Sequence, residues 1–172
     1  GRAGLRRLAS GFRARSIPFW MLLGGACGAL TVTTQGLVAG LLGVSLFTVG
    51  VVAGQTLNGL VLDRIGFGPA GVVAVTPGRV FGGLFALAAV AVSLAGGAVT
   101  TAPPLLLLLP FIAGVGIAWQ SATNGRLAQR IVSPMAATLV SFAAGTLVLA
   151  VSAAVSIAVR GMPQALPAEP WL

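Results

Sequence analysis

The chain has no histidine, two acidic residues and one cysteine among its 172 residues. The side chains that most often serve as general acids, general bases and metal ligands are therefore scarce, and no pair of neighbouring carboxylates occurs. Cys27 cannot form an internal disulfide, and no base stands beside it to activate it. The sequence thus predicts a protein that is not an enzyme and that holds no metal and no cofactor.

Charged residues are also few, at 7% of the chain against 57% hydrophobic residues, and the mean hydropathy is +1.04. A soluble domain carries about a quarter of charged residues. The apolar runs are continuous rather than alternating over about ten residues, which argues against a membrane β-barrel. The composition therefore predicts an all-α integral membrane protein.

Five apolar runs approach the length that a helix needs to cross a bilayer. We predict spans at residues 18–42, 44–62, 80–94, 103–124 and 134–159. This divides the chain into a basic segment at 1–17, three spans at 18–97, two further spans at 103–160 and an external tail at 161–172 that leads into another span.

Several residues predict where these runs begin, bend and end. Ser133 and Pro134 suit the cap and the first position of a helix. Pro110 lies inside the fourth run and should bend it, since proline removes one backbone hydrogen bond. Arg126 and Arg130 are expected to end that run. Residues 66–78 and 96–101 are predicted to be loops because they are rich in glycine or other loop-forming residues.

The basic residues lie beside the apolar runs and leave the chain with a net charge of +8. In a soluble protein such a charge would suggest nucleic acid, but here it indicates anionic lipid headgroups and membrane orientation. The positive-inside rule places the N-terminal segment, the loop at 66–78 and the hinge before Ser133 in the cytoplasm. The N-terminal segment also has the composition of a transit or signal peptide, although the long span after it favours a juxtamembrane stretch.

Polar side chains inside the apolar runs are the candidates for solute binding. An amide without a partner is costly in lipid, so we expect these side chains to face the bundle interior or a wet cavity. The predicted substrate-binding residues are Gln35, Gln55, Asn58, Gln120, Asn124 and Ser141. The alternative for each is a hydrogen bond that holds two helices together. Asp63 could serve as a proton site, but the neighbouring Arg64 favours a structural helix end.

Glycine pairs four residues apart occur in the first two runs, at 24 and 28, 36 and 40, and 50 and 54. Small residues at this spacing let helix backbones approach closely in a membrane. We therefore expect all three pairs to be helix contacts.

The apolar runs resemble those of a known family. Residues 120–127 (QSATNGRL), 133–134 and 141–146 resemble the first two helices of a YdcZ-like repeat in the drug/metabolite transporter superfamily. Residues 18–25, 52–55 and 62–66 resemble the last three helices of such a repeat. Separately, residues 18–22 (PFWML) are echoed at 170–172 (PWL), as the start of a matching span from the opposite side. The resemblance implies that the chain is part of a ten-helix inner-membrane transporter built from two inverted halves. Such a transporter moves small metabolites by alternating access.

Two functions of different classes follow from these features. The first is a transporter of a small solute in the bacterial inner membrane. The second is a non-transporting scaffold that binds another membrane protein through its small-residue helix faces. In either case the expected partners are the lipid bilayer and either a second copy or the remainder of the same chain, and nucleic acid is not expected.

Overall fold

The structure is a computed structural model that describes residues 2–95 and 104–162. These residues form helices and connecting turns without a strand; the α-helices are α1 (Arg2–Arg13), α2 (Gly24–Leu42), α3 (Val44–Arg64), α4 (Pro77–Ala95), α5 (Leu108–Ile131) and α6 (Pro134–Arg160). Short 3-10 turns precede α2 at Phe19–Leu22 and α5 at Pro104–Leu107. The predicted loop at 96–101, Pro103 and the tail from 163 onward, with its echo of the first span, lie outside the described residues.

Three of the described helices, α2, α3 and α6, are long and apolar enough to cross a membrane. α4 is apolar over the shorter stretch Pro77–Val92. α5 has 24 residues but carries amides and arginines along its second half. The prediction of an all-helical protein with membrane-spanning helices is confirmed. The count of five spans and the inverted repeat stay predictions.

The basic segment at 1–17 contains a helix that the apolar pattern does not predict. One side of α1 packs on the start of α6, where a Cβ added to Gly4 would lie 2.5 Å from the Ser133 side chain. Leu5 and Phe12 remain 42% and 40% exposed, and arginines occupy the neighbouring face of the helix. A helix with an apolar face and an arginine-rich face is typical of one that lies in the membrane interface.

α5 does not begin and end where the fourth predicted span does. Arg126 and Arg130 do not stop it, and the helix continues to Ile131. Both guanidinium groups donate to backbone carbonyls of neighbouring segments, and positive charge is favourable in the last turns of a helix. Pro110 is the third residue of α5, so the predicted bend inside a span is replaced by a helix start, where no hydrogen bond from that nitrogen is required.

The N-terminal segment, the loop after α3 and the last turns of α5 meet at one end of the bundle. Arg130 donates to the carbonyl of Ser16, next to α1. Arg126 donates to the carbonyl of Gly66 at 3.1 Å, and its guanidinium lies 4.9 Å from the centroid of the Phe67 ring. The positive-inside rule assigns these same segments to one side of the membrane. That this side is the cytoplasm stays a prediction.

Asp63 joins the end of α3 to the start of α4. Its carboxylate forms an ion pair with Arg79 rather than with the adjacent Arg64, and its backbone carbonyl accepts the N–H of Val73 at 2.9 Å. These contacts fit the structural interpretation of Asp63 better than that of a proton site.

The helices cross at glycines. At the α3–α5 crossing, a Cβ added to Gly54 would lie 2.0 Å from the carbonyl oxygen of Phe111, and one added to Gly114 would lie 2.0 Å from that of Val51. At the α2–α6 crossing, a Cβ added to Gly25 would lie 1.7 Å from the carbonyl oxygen of Ser141. These backbones approach so closely that only a hydrogen fits at each position.

The prediction of a helix contact at residues 36 and 40 is wrong within the described part of the chain. A Cβ added to either glycine would meet nothing within 4 Å there. The spacing places both glycines on one face of α2, but that face has no described neighbour.

Two apolar clusters lie toward opposite ends of α5. One contains Met21, Leu127 and Ile131 near the arginine end. The other contains Val38 and Leu42 with residues of α3. Gln120 and Asn124 lie between the two clusters along α5.

Candidate functional site

A cavity of about 400 Å³ lies between α2, α5 and α6. The turn between α5 and α6 sets its geometry, because α6 starts directly after α5 and runs back along it. Ser133 caps α6 by accepting the N–H of Ala136 at 3.3 Å, and Pro134 follows at the first helical position. This confirms the predicted helix start and brings residue 141 of α6 opposite residues 120 and 124 of α5.

The cavity has a polar side and an apolar side. Its lining residues are Gly25, Gly28, Ala29 and Val32 from α2, Gln120 and Asn124 from α5, and Thr138, Ser141, Phe142, Gly145, Thr146 and Leu149 from α6. None of these described lining residues is charged. The arrangement offers hydrogen bonds and apolar contact but no ionised group.

Ser141 joins the two amides of α5 in a triad. Its side-chain oxygen accepts an N–H from Gln120 at 3.1 Å and an N–H from Asn124 at 3.0 Å. Ser141 is 6% exposed, and the two amides are half-buried. The three residues therefore form one connected polar group that links α5 to α6 at the wall of the cavity.

Glycines of α2 make room for the amides. A Cβ added to Gly24 would lie 2.8 Å from Oδ1 of Asn124, and one added to Gly28 would lie 3.2 Å from Oε1 of Gln120. The spacing predicts that this glycine pair admits a helix backbone, but it admits two polar side chains instead. The small-residue pattern of α2 is thus part of the site.

The other three predicted residues lie elsewhere. Asn58 donates to the carbonyl of Val115 at 2.9 Å and so joins α3 to α5, as the helix-bridging alternative predicts. Gln55 is exposed and borders two open clefts beside α3. Gln35 is exposed as well, contrary to the expectation that the amides face inward, because it follows the buried Thr34 and so points to a different side of α2.

Four further lining residues of α6 are not predicted from the sequence: Thr138, Phe142, Thr146 and Leu149. Thr138 lies three residues before Ser141 and Leu149 lies eight residues after it, so both share its helix face, whereas Phe142 and Thr146 lie one and five residues after it. Helical spacing around Ser141 would therefore have identified Thr138 and Leu149 but not Phe142 and Thr146. The spacing of residues along α6 does not indicate that α2 supplies the wall of the cavity that faces α6.

The donor sets that hold metal ions in proteins consist of histidine, cysteine, aspartate and glutamate side chains. No group of three or more of these residues occurs in the part of the chain that the structure describes. The polar side chains of the site are amides and hydroxyls, which donate and accept hydrogen bonds but neither ionise near neutral pH nor activate a nucleophile.

Replacing Ser141 with alanine is expected to lower the free energy of unfolding by about 2 kcal/mol, because two half-buried amide N–H groups lose their acceptor. Chemical or thermal unfolding of the purified protein in mild detergent measures this change. Ser152→Ala is the matched control on the same helix, since that exposed hydroxyl bonds only to the carbonyl of Val148. Equal stability of the two variants would contradict the triad.

A comparison with protein-family models matches residues 4–92 and 105–172 to the family described as "Putative inner membrane exporter, YdcZ". The match covers nearly the whole chain, including α2, α5 and α6, which form the cavity. No curated protein and no solved structure matches the chain.

Proposed function

The chain belongs to the YdcZ family of inner membrane exporters, and from this premise we propose that it moves a small solute through the cavity between α2, α5 and α6 by alternating access. The protein is a multi-pass inner membrane protein. The observation that carries the proposal is the Ser141 triad, which places polar side chains around a cavity of ligand size within otherwise apolar helices.

The proposed solute path consists of Gln120, Asn124 and Ser141. Asn58 is left out because its amide already bridges two helices. Gln35 and Gln55 are left out because they do not line this cavity. The path contains fewer residues than the sequence predicts, and all of them lie on α5 and α6.

The apolar cluster at the arginine end supports alternating access. Met21, Leu127 and Ile131 pack below the cavity there, while Val38 and Leu42 pack against α3 at the other end, in a cluster without a residue of α6. Opening the cluster at the arginine end would expose the polar residues of the cavity to that side of the membrane. Packed apolar contacts suit such a two-state arrangement because they do not deform continuously.

Further helices would complete the cavity. Val32 and Phe142, at the rim, are 55% and 71% exposed, and every residue of α6 from 150 to 160 is exposed. A polar cavity that opens sideways between membrane helices needs cover from lipid or protein. We propose that the remaining helices of the two inverted five-helix halves provide this cover, as the family resemblance implies.

Efflux from lipid vesicles tests the exporter proposal even while the substrate is unidentified. Vesicles that contain the purified protein are loaded with a bacterial cytosolic metabolite extract, and mass spectrometry follows which metabolites leave faster than from empty vesicles. We expect at least one such metabolite. Its efflux should fall about three- to tenfold in Gln120→Ala, because that change removes hydrogen-bonding groups from the path.

Gln129→Ala is the control for this measurement, since Gln129 lies on the same helix but donates to the loop carbonyl of Pro69. Its efflux should equal that of the unchanged protein. Absence of any accelerated metabolite, or equal efflux from Gln120→Ala and Gln129→Ala, would contradict the proposed path.

The scaffold alternative predicts a different result. A scaffold would retain a stoichiometric membrane-protein partner after mild extraction and would give no efflux. The exporter family match does not favour it.

A further inference from the structure

The triad leaves several hydrogen-bonding groups without a protein partner among the described residues. A serine oxygen accepts two hydrogen bonds, and both positions on Ser141 are filled by Gln120 and Asn124. The Ser141 hydroxyl hydrogen therefore remains available. Each amide also keeps a second N–H and its carbonyl oxygen, since the structure gives it a single hydrogen bond. Such groups are costly at half-buried positions inside membrane helices unless water or a ligand satisfies them.

Gln120 presents these groups at the cavity wall. Its amide lies beside Gly28, another lining residue, where an added Cβ would come within 3.2 Å of Oε1 and 3.3 Å of Nε2. The absence of a side chain at Gly28 leaves the amide uncovered on that side. An amide with one N–H committed to Ser141 still offers a donor and an acceptor next to each other.

The surroundings disfavour an ion. No described lining residue carries a charge that could neutralise one, and an ion that leaves water without a counter-charge loses several kcal/mol of hydration. The charges near one end of α5 are arginines, and the chain as a whole carries +8. This potential disfavours organic cations in particular.

The rest of the cavity suits the apolar body of a solute. Val32, Phe142 and Leu149 line it together with the polar wall. Its volume of about 400 Å³ lies within the range of sites for small organic ligands, about 300–1,000 Å³. A solute that fits both walls has one polar edge and one apolar part.

We propose that this cavity binds uncharged solutes with a carboxamide-like edge, in which a hydrogen-bond donor and an acceptor stand side by side next to an apolar group. Amides, lactams, ureas and nucleobase-like rings share this edge. Paired with Gln120, such a solute would form two hydrogen bonds while Ser141 holds the amide in place. The inference rests on the proposed function because it takes this cavity as the transport site.

Calorimetric titration of the purified full chain in detergent tests the solute class. Benzamide, benzamidinium and benzoate have nearly the same size and shape but are neutral, cationic and anionic. We expect benzamide to bind about tenfold or more tightly than either ion, because the site supplies no counter-charge. Gln120→Leu should weaken benzamide binding about tenfold through the loss of two hydrogen bonds.

Gln129→Leu is the matched control, since it removes an amide from the same helix outside the cavity. Benzamide should bind it as it binds the unchanged protein, and weaker binding in Gln120→Leu alone separates site binding from partition into detergent. Equal or tighter binding of either ion would overturn the proposal. So would a benzamide signal that is absent or that Gln120→Leu leaves unchanged.

The titration requires no transport, so the two proposals can fail separately. Benzamide binding without efflux of any metabolite from vesicles would refute the exporter proposal and support the solute class. Efflux restricted to charged metabolites that Gln120→Ala reduces would support the exporter and overturn the solute class.

Discussion

Replacing Gly114 with alanine is expected to lower the free energy of unfolding by about 3 kcal/mol, at the upper end of the cost of overpacking a well-packed core. The added Cβ would lie 2.0 Å from the carbonyl oxygen of Val51 and 2.8 Å from the nitrogen of Gln55. Both are backbone atoms of α3, so no side chain can rotate away. The two helices must separate, and α5 loses packing along its crossing with α3. Unfolding in mild detergent, followed by circular dichroism, measures the change.

Gly40→Ala separates this effect from the general effect of alanine in a helix. Gly40 lies within α2 and a Cβ there would meet no described atom within 4 Å. Alanine favours a helix over glycine by about 1 kcal/mol, so the control should be as stable as the unchanged protein or slightly more stable. If Gly114→Ala unfolds at the same denaturant concentration as Gly40→Ala, the α3–α5 crossing is not as close as described.

The sequence predicts the helices better than it predicts their neighbours. The second predicted span at 44–62 matches α3, at Val44–Arg64, because a long apolar run between glycine and charged residues leaves few alternatives. The fifth matches α6, at Pro134–Arg160, because serine and proline mark its start. α1 is missed because a basic segment without an apolar run of membrane length gives no span signal, although its leucines and arginines follow helical spacing.

Glycine spacing shows the limit of the sequence most clearly. Gly24 and Gly28 accommodate amides, Gly54 accommodates a helix backbone, and Gly36 and Gly40 face no described atom. The pattern is the same in each case. Which of these occurs depends on what stands opposite, and a spacing within one helix carries no information about its partner.

The candidate site shows the same limit, since the sequence predicts which residues share a helix face but not what lies opposite them. Gln120 and Asn124 share a face because they are one turn apart, and a hairpin between α5 and α6 brings Ser141 to them. Gln55 and Asn58 share a helix face just as well, yet one is exposed and the other bonds to Val115. The sequence thus provides the polar groups of each helix but not the orientation of each helix in the bundle. That the triad binds a solute stays a prediction.

Replacing Gly25 with alanine is expected to destabilise the protein by about 3 kcal/mol and, in addition, to break the triad. The added Cβ would lie 1.7 Å from the carbonyl oxygen of Ser141 and 2.7 Å from the nitrogen of Gly145. Both atoms belong to the backbone of α6, so α6 must move away from α2. This movement displaces Ser141 itself, whereas the change at Gly114 acts on the crossing of α3 with α5.

A double-mutant comparison distinguishes the two crossings. If Gly25→Ala already breaks the hydrogen bonds of Ser141, then adding Ser141→Ala should cost little further stability, and the two changes should be non-additive by about 1–2 kcal/mol. Gly114→Ala and Ser141→Ala should instead add, because they share no contact. Additivity in both pairs would mean that the α2–α6 crossing does not position Ser141. Coupling only in the Gly25 pair would show that glycines at this crossing hold the polar wall of the cavity in place.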